Sequence, residues 1–106
     1  MDFFNNDILT LETIVEKTSH NVAKRFQIKD RGYIREGYYA DLAILDLNNP
    51  YQVSKENILY KCGWSPFEGY KFNSSIFMTV VNGNIAFKDG VVSENLPLGM
   101  QIEFNR

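Results

Sequence analysis

Residues Ser75–Ser93 read "SIFMTVVNGNIAFKDGVVS", and they carry the strongest structural signal in the sequence. Three short apolar runs alternate with two dipeptides, Asn82-Gly83 and Asp89-Gly90. Asn-Gly and Asp-Gly accept the positive φ angles of two-residue hairpin turns, and the β-branched and aromatic residues between them favour strands. This pattern predicts a three-stranded antiparallel meander over residues 76–93. Its strands are expected at 76–82, 84–88 and 91–93.

A further strand is predicted before the meander. The segment "GYIREGYYADLAILDLNNP", Gly32–Pro50, contains a run at 42–47 that is apolar on both faces. Strands that are apolar on both faces are typically covered on both sides by other elements. The Asn-Asn-Pro sequence at 48–50 ends it, because proline has no N–H for the ladder and asparagine accepts turn conformations. We therefore expect a buried strand at 41–47.

The N-terminal part of the chain is predicted to be helical. Leu11, Ile14 and Val15 have the i, i+3, i+4 spacing of one helix face, and Thr10 precedes them as an N-cap. A short amphipathic helix is expected at about 11–18.

A second short helix is predicted from a second N-cap, Asn21. The sequence "VAKRF" that follows places Val22, Ala23 and Phe26 on one side. The boundary between helices and sheet is expected near residues 28–32.

Composition narrows the classes of function. The chain has 106 residues, 44% of them hydrophobic, a net charge of −2 and no basic run, so one globular domain is expected and nucleic acid is not an expected partner. At this size a compact domain buries roughly two-thirds of the surface that its unfolded chain exposes. The sequence has no apolar run of membrane-spanning length, its first residues lack the pattern of a signal peptide, and its single cysteine excludes an internal disulfide. A cytoplasmic location and no membrane partner are therefore expected.

The residues that could carry chemistry are few. His20 and Cys62 are the single histidine and cysteine, whereas a catalytic zinc site needs about three protein ligands. Cys-His catalysis would need both residues brought together beside an orienting group. We expect instead that Cys62 is a small buried apolar group and that His20 packs or caps a helix.

The glycines and carboxylates give no catalytic motif either. The seven glycines form neither a G-x-G-x-x-G nor a G-x-x-x-x-G-K pattern. Asp41 and Asp46 flank the predicted strand and are expected to cap turns, and Glu36, Glu56 and Glu68 are expected to face solvent. The sequence predicts no catalytic, cofactor-binding or metal-ligating residue in this chain.

One loop needs a separate explanation. The stretch "YKCGWSPFEGYKF", Tyr60–Phe72, concentrates rigid aromatic residues and glycines where neither a helix nor a strand is expected. Such a loop, with Trp64, Pro66 and Phe67 between Gly63 and Gly69, can cover apolar surface between two domains. The alternative is that the loop shapes access to an active site.

Several of these stretches together resemble a known family. The segment "GYIREGYYADLAILDLNNPY" is similar to the G-x-I-x-x-G-x-x-A-D-L-x-x-x-D segment of the amidohydrolase superfamily, where the chain leaves the catalytic barrel for a small β-sandwich. The stretches "YKCGWSPFEGYKFNSSIFMTVVNG", "TSHNVAKRFQI" and "MQIEFNR" resemble bacterial dihydroorotases. Val22 stands where that family usually has proline, a mild departure because proline only favours the first helical position. The resemblance spans Leu9–Arg106.

The resemblance implies an enzyme whose chemistry lies outside these residues. In dihydroorotases the metal ions sit in a (β/α)₈ barrel, on an early His-x-His, a lysine, further histidines and an aspartate of the last strand. Metal-activated hydroxide there interconverts N-carbamoyl-L-aspartate and dihydroorotate in pyrimidine biosynthesis. None of those positions matches this chain, so zinc is expected only in an intact parent enzyme. The chain itself is expected to be an inactive C-terminal part.

The expected fold class is α+β. Residues 1–30 would be terminal helices that flank the barrel, with Leu11, Ile14 and Phe26 against its wall, and residues 31–106 would be the C-terminal part of a composite β-sandwich. The expected partner is the rest of the same polypeptide, and a homo-oligomer is expected.

Three hypotheses of different classes stay open at this point. The chain could be part of a dihydroorotase, a free-standing β-rich binding module, or an enzyme that uses Cys62 and His20. Two predictions accompany the first: zinc binding no tighter than in a chain without His20 and Cys62, and self-association through a sheet edge or exchanged elements.

Overall fold

The structure is a computed structural model that describes residues 1–94 and 98–106. It is a mixed α+β chain with short helices first and mainly antiparallel strands afterwards, as predicted. The predicted segment 31–106 includes residues 95–97, which lie outside the described residues. The helices are α1 (Asp2–Asn5), α2 (Leu11–Val15) and α3 (Asn21–Phe26), and the strands are β1 (Leu42–Asp46), β2 (Tyr51–Gln52), β3 (Lys71–Phe72), β4 (Ser75–Val81), β5 (Asn84–Lys88) and β6 (Val91–Val92).

The helices α2 and α3 form one continuous helical segment. Thr10 caps its start as predicted, because its side chain accepts a hydrogen bond from the Thr13 N–H. A wide π-helical turn, Glu16–His20, then joins α2 to α3. The prediction that Asn21 is an N-cap is wrong: its φ of −68° and ψ of −33° are helical, so the backbone continues through it. The apolar residues of α2 and α3 have helical spacing, and the residues between them, 16–20, are polar. This pattern is the same for two separate helices and for one helix with a wide turn.

The predicted meander is confirmed to within one residue at its ends. Strand β4 pairs antiparallel with β5, and β5 pairs with β6. Both turn dipeptides have positive φ at both positions, 50° and 80° at Asn82 and Gly83 and 46° and 82° at Asp89 and Gly90. These are the angles that a right-twisted two-residue hairpin requires.

Strand β1 completes a four-stranded sheet of order β1-β4-β5-β6. It pairs antiparallel with β4, with a register shift between Ile44 and Leu45. The prediction that this strand is covered on both faces is wrong for this chain, because Ala43, Ile44 and Leu45 are all exposed. Among the described residues, the helices pack mainly on one another and the strands on their ladder neighbours, so both faces of β1 stay open.

A second, two-stranded sheet forms an arm that sequence reasoning did not predict. Strands β2 and β3 pair antiparallel, Tyr51 with Phe72 and Gln52 with Lys71. A 3₁₀ turn, Lys55–Asn57, and the aromatic loop lie between them. We call residues 51–72 the aromatic arm. Two-residue strands give almost no periodic signal, which is why the pattern reading missed them.

The C-terminal tail returns to the end of α3. Phe104 forms an isolated antiparallel bridge with Ile28, and the Lys29 N–H donates to the Glu103 carbonyl. The ammonium of Lys29 also lies 3.3 Å from the Glu103 carboxylate. The tail therefore lies along residues 27–29, directly after α3.

The chain exposes more surface than a compact domain of its mass. Its accessible surface is 8394 Å², against about 6,100 Å² expected for a compact monomer of this mass. Its radius of gyration is 15.5 Å, against about 13 Å expected. Ala23 is the single buried hydrophobic residue among those described. The chain therefore buries less than a compact domain of its size can bury, since its elements spread out and do not enclose a core.

Candidate functional site

The best-connected polar cluster joins the helical segment to the first hairpin. The guanidinium of Arg31, only 11% exposed, donates from Nη1 to the Asp41 carboxylate and, over 2.9 Å, to Asn82 Oδ1. The other Asp41 oxygen accepts the Asn82 backbone N–H at 2.8 Å. Arg31 also lies over the Tyr39 ring, 4.1 Å from its centroid. We call Arg31, Asp41 and Asn82 the junction cluster.

The junction cluster is a structural unit. Both Asp41 oxygens accept hydrogen bonds from protein donors, and the Asn82 side chain donates onward to the Leu98 carbonyl. Charge-assisted hydrogen bonds of this kind fix geometry and leave the carboxylate engaged. The prediction that Asp41 caps a turn is confirmed, because it holds the amide of the Asn82-Gly83 hairpin. Asp46 does the same locally, since its Oδ1 accepts the Asn48 N–H at 3.0 Å.

His20 packs against an aromatic ring, in agreement with the sequence prediction. Its ring stacks on Tyr33 with centroids 4.1 Å apart and planes 8° apart. The guanidinium of Arg35 lies 4.1 Å from the Tyr33 centroid and 5.7 Å from that of Tyr38. His20 therefore belongs to a stacked row of side chains, an arrangement that orders the segment between helix and sheet.

Cys62 does not have the environment that was predicted. Its side chain is exposed, and its thiol donates to the Trp64 carbonyl at 3.6 Å. The prediction of a buried apolar cysteine is wrong because the loop around it has no described element packed over it. Cys62 bonds within its loop and His20 stacks on Tyr33, so the structure does not assemble them as a nucleophile and its base.

The scattered glutamates face solvent, as predicted. Glu36, Glu56 and Glu68 are all exposed. Hydrogen bonds from the backbone N–H of Glu56 and from the Ser54 side chain lower the pKa of the Glu56 carboxyl.

The aromatic arm presents the largest rings of the chain to solvent. Trp64 is 61% exposed and Phe67 56% exposed. Phe67, Tyr70 and Phe72 contact one another with ring centroids 4.7 to 6.4 Å apart. One described hydrogen bond ties this cluster to α1: the Tyr70 hydroxyl donates to Asp2 Oδ2 at 2.7 Å, and that bond raises the pKa of Tyr70.

Comparison with known proteins places this arrangement in a family. The model of the amidohydrolase family matches residues 4–87, which is most of the chain. The chain belongs to the amidohydrolase family.

Individual relatives in this family support the assignment. The dihydroorotase of Pyrococcus abyssi is 38% identical over 92 residues, which are 87% of this chain and 22% of that protein. The allantoinase of Desulfitobacterium hafniense is 37% identical over 93 residues, 87% of this chain and 20% of that protein. Among solved structures, the L-hydantoinase (dihydropyrimidinase) of Arthrobacter aurescens superposes with a TM-score of 0.74 at 32% identity, over 84% of this chain and 20% of that one. The chain therefore spans about a fifth of the length of these relatives.

The residues present here do not fit the metal site of an amidohydrolase. No group of three or more His, Cys, Asp or Glu side chains lies together in the part of the chain that the structure describes. A catalytic zinc ion needs about that many ligands with free lone pairs, whereas Asp41 is bonded to Arg31 and Asn82. That this chain lacks catalytic, cofactor-binding and metal residues stays a prediction from its sequence.

Sequence reasoning missed Arg31 and Tyr70, two of the side chains that connect distant parts of the chain. A signal for Arg31 was present: a charged residue beside Gly32, at the predicted boundary between helices and sheet, needs a partner if it is buried. Tyr70 offered no comparable signal, because its partner Asp2 lies 68 residues away.

In the described residues, no helix is long and apolar enough to cross a membrane.

Proposed function

We propose that this chain forms the C-terminal part of a cyclic amidohydrolase, and that within this class the enzyme is a dihydroorotase. The catalytic barrel and its metal ions would come from the rest of the same polypeptide. The observation that carries the proposal is the match of 79 to 87% of this chain to dihydroorotases and allantoinases that are about five times longer.

The names of the relatives support the class, and the resemblance of residues 60–83 to dihydroorotases is what favours one substrate within it. They are named for dihydroorotate, allantoin and hydantoin. Dihydroorotases of three Pyrococcus species are 32 to 38% identical to this chain. The proposed reaction is the interconversion of N-carbamoyl-L-aspartate and dihydroorotate, in the cytoplasm and with zinc as the metal.

The chain would act as a scaffold and perform no catalytic step. Residues 1–30 would flank the barrel, and residues 31–106 would form the C-terminal part of a composite sandwich. The exposed faces of β1 and the exposed rings of the aromatic arm support this role, because apolar surface of this extent is normally covered by a partner. The partner we propose is the remaining part of the same polypeptide.

The aromatic arm would then be an interdomain plug. Trp64 and Phe67 are rigid, largely exposed rings on a loop that other described elements do not cover. Rings of this kind bury large apolar areas at low conformational cost. The competing interpretation, that the arm lies at the mouth of the active site, predicts an effect on substrate binding instead of stability.

The first test is direct. The DNA upstream of codon 1 should be read for a continuous frame that encodes a barrel with a His-x-His motif. The protein from the longer frame should open dihydroorotate, whereas this chain alone, supplied with zinc, should show no turnover. Faster hydrolysis of allantoin or hydantoin would retain the class and reject the dihydroorotase assignment.

A chimera tests the scaffold role independently. This chain would replace the matching last part of the Pyrococcus abyssi dihydroorotase, and the chimera should keep measurable activity. Trp64→Ser in the chimera should lower its thermal stability with KM unchanged if the arm is a plug. A correctly folded chimera without activity, together with no upstream barrel, would favour a free-standing binding module.

A further inference from the structure

The first hairpin turn contains the one Asn-Gly dipeptide of the sequence, Asn82-Gly83. In such a dipeptide the backbone readily attacks the asparagine side chain, because glycine has no Cβ to hinder its own nitrogen. The Gly83 nitrogen loses its proton and bonds to Asn82 Cγ, the Cγ–Nδ2 bond breaks, and ammonia leaves. Water then opens the cyclic imide and leaves aspartate or isoaspartate in place of asparagine.

The groups that take part in this reaction are all engaged in the folded chain. Arg31 Nη1 donates to Asn82 Oδ1 over 2.9 Å, and Asn82 Nδ2 donates to the Leu98 carbonyl. The Gly83 N–H donates to the Ala40 carbonyl over 3.0 Å. Because the Asn82 carboxamide is held at both ends, it cannot turn towards the Gly83 nitrogen without losing both of its hydrogen bonds.

The turn itself lies at the surface. Gly83 is exposed and Asn82 is half-buried, so water and hydroxide reach the dipeptide once the Asn82 side chain is released. The barrier to the reaction in the folded chain is therefore the set of hydrogen bonds around Asn82, and the guanidinium of Arg31 is the charged member of that set.

Deamidation would prevent the junction cluster from forming again as it is. A carboxylate oxygen would replace Nδ2, so two acceptors would face each other at the Leu98 carbonyl. Arg31 would also face a second carboxylate beside that of Asp41. Isoaspartate would in addition lengthen the backbone of a tight turn whose strands, β4 and β5, are paired in a fixed register.

We propose that Asn82 is a site of deamidation and that the junction cluster controls its rate. When the cluster opens, Asn82 reacts with the Gly83 nitrogen and then with water. The modified chain cannot rebuild the cluster, so an opening that was reversible becomes irreversible. The modification needs only residues of this chain and does not depend on the proposed function.

The first test measures the deamidation rate of Asn82 in the full chain at mildly alkaline pH, by peptide mapping with mass spectrometry. A synthetic peptide of residues 78–88 gives the unprotected rate. The folded chain should react at least about thirtyfold more slowly than the peptide, because the reaction requires opening. Arg31→Met should accelerate the reaction about 5- to 30-fold, the range by which loss of such a contact raises the open population. Equal rates in the folded chain and the peptide would overturn the proposal.

Two controls separate the junction cluster from general stability. Arg35→Met removes an exposed guanidinium that stacks on Tyr33, and it should leave the rate within about twofold of the unaltered chain. Thr10→Ala removes the cap of the helical segment, whose described side-chain hydrogen bonds stay within that segment. If Thr10→Ala accelerates deamidation as much as Arg31→Met does, unfolding of the whole chain controls the rate and the proposal is wrong.

Circular dichroism should show that Arg31→Met is folded. If it is not, Arg31→Lys replaces it, because lysine keeps the charge and lacks the planar fork. Deamidation in Arg31→Lys should then be faster than in the unaltered chain, by a smaller factor than expected for Arg31→Met. An unchanged rate would contradict control by the junction cluster.

The second test concerns the consequence of deamidation. Asn82→Asp has the side chain of the product from the start, and urea titration should show a ratio of folded to unfolded chain about tenfold lower than that of the unaltered chain. Asn84→Asp is the matched control, because it adds the same charge at an exposed position beside the turn, and it should change the ratio less than about threefold. An unaltered folding equilibrium in Asn82→Asp would show that the cluster tolerates the product, and the proposed irreversibility would be wrong.

Discussion

The junction cluster and the aromatic arm are both rich in large side chains, yet they are held in opposite ways. Arg31 is 11% exposed and contacts Asp41, Asn82 and Tyr39. Trp64 in the aromatic arm is 61% exposed. The junction cluster is stabilised by contacts within this chain, whereas the aromatic arm exposes its most apolar side chains to solvent.

The difference shows which parts of the chain can be stable without a partner. A partly buried charged cluster, with Arg31 11% and Asp41 34% exposed, requires all its members in place, because a charge that loses its partner there is costly. Removal of an exposed ring changes the free energy of unfolding little, because no other described part of this chain covers the ring. Substitutions in the junction cluster should therefore lower the free energy of unfolding more than substitutions in the aromatic arm.

The largest effect is expected at the approach of Gly32 to the helix. A Cβ there would lie 2.6 Å from Ala23 Cβ and 3.2 Å from the Ser19 carbonyl oxygen, at a φ of +85°. Gly32→Ala should cost about 3 kcal/mol of unfolding free energy, measured by urea titration, because steric overlap adds to backbone strain.

Gly37 provides the matched control for this substitution. It has a φ of +83° but nothing within 4 Å of an added Cβ, so Gly37→Ala should cost only about 1 kcal/mol of backbone strain. Equal losses at the two glycines would mean that the close contact with the helix does not limit stability.

The next largest effect is expected in the junction cluster. Arg31→Met removes the donor to Asp41 and Asn82 and leaves a partly buried carboxylate without its cation. We expect a loss of about 2 kcal/mol in the urea titration, and Arg31→Lys should recover only part of it because lysine lacks the planar fork. Arg35→Met, which removes an exposed guanidinium stacked on Tyr33, should cost less than about 1 kcal/mol. A larger loss of unfolding free energy in Arg35→Met than in Arg31→Met would contradict this prediction.

A smaller effect is expected in the aromatic arm. Trp64→Ser and Phe67→Ser remove side chains that are 61% and 56% exposed, so each should change the unfolding free energy by less than about 1 kcal/mol. Thr79→Ser in the central strand β4 is a mild substitution for comparison. Losses in the arm that match the loss at Arg31 would show that the arm is packed in solution.

Local patterns predicted the hairpins because their chemistry lies within a few residues. Asn82-Gly83 and Asp89-Gly90 require positive φ, and the structure has it at all four positions. The Thr10 cap was predictable for the same reason, since it bonds the N–H three residues away. Family membership was likewise visible in the segment 32–51.

Burial was not predictable, because it depends on what else is present. The apolar pattern of β1 indicates a strand covered on both faces, and this chain exposes Ala43, Ile44 and Leu45. Periodicity records which surfaces are suited to burial and says nothing about the element that covers them. The same reasoning explains the wrong prediction for Cys62.

The smallest expected effect lies in the contact of the aromatic arm with α1. Asp2 Oδ2 accepts a hydrogen bond from the Tyr70 hydroxyl over 2.7 Å, and this hydrogen bond, with the carboxylate charge, raises the pKa of Tyr70 above its usual value. A folded-state pKa above the unfolded one stabilises the fold while the phenol is protonated. The contribution is therefore complete below about pH 10 and is lost as the pH rises through the folded pKa.

Asp2→Asn tests this contact, because it removes the charge and keeps an acceptor of similar shape. The absorbance titration of Tyr70, obtained as the difference between the chain and its Tyr70→Phe variant, should move to lower pH in Asp2→Asn. Asp7→Asn removes a nearby exposed carboxylate and should leave the titration unchanged. If the titration of Tyr70 is the same with and without the Asp2 charge, the arm does not touch α1 in solution. The aromatic arm would then lack its described hydrogen bond to α1.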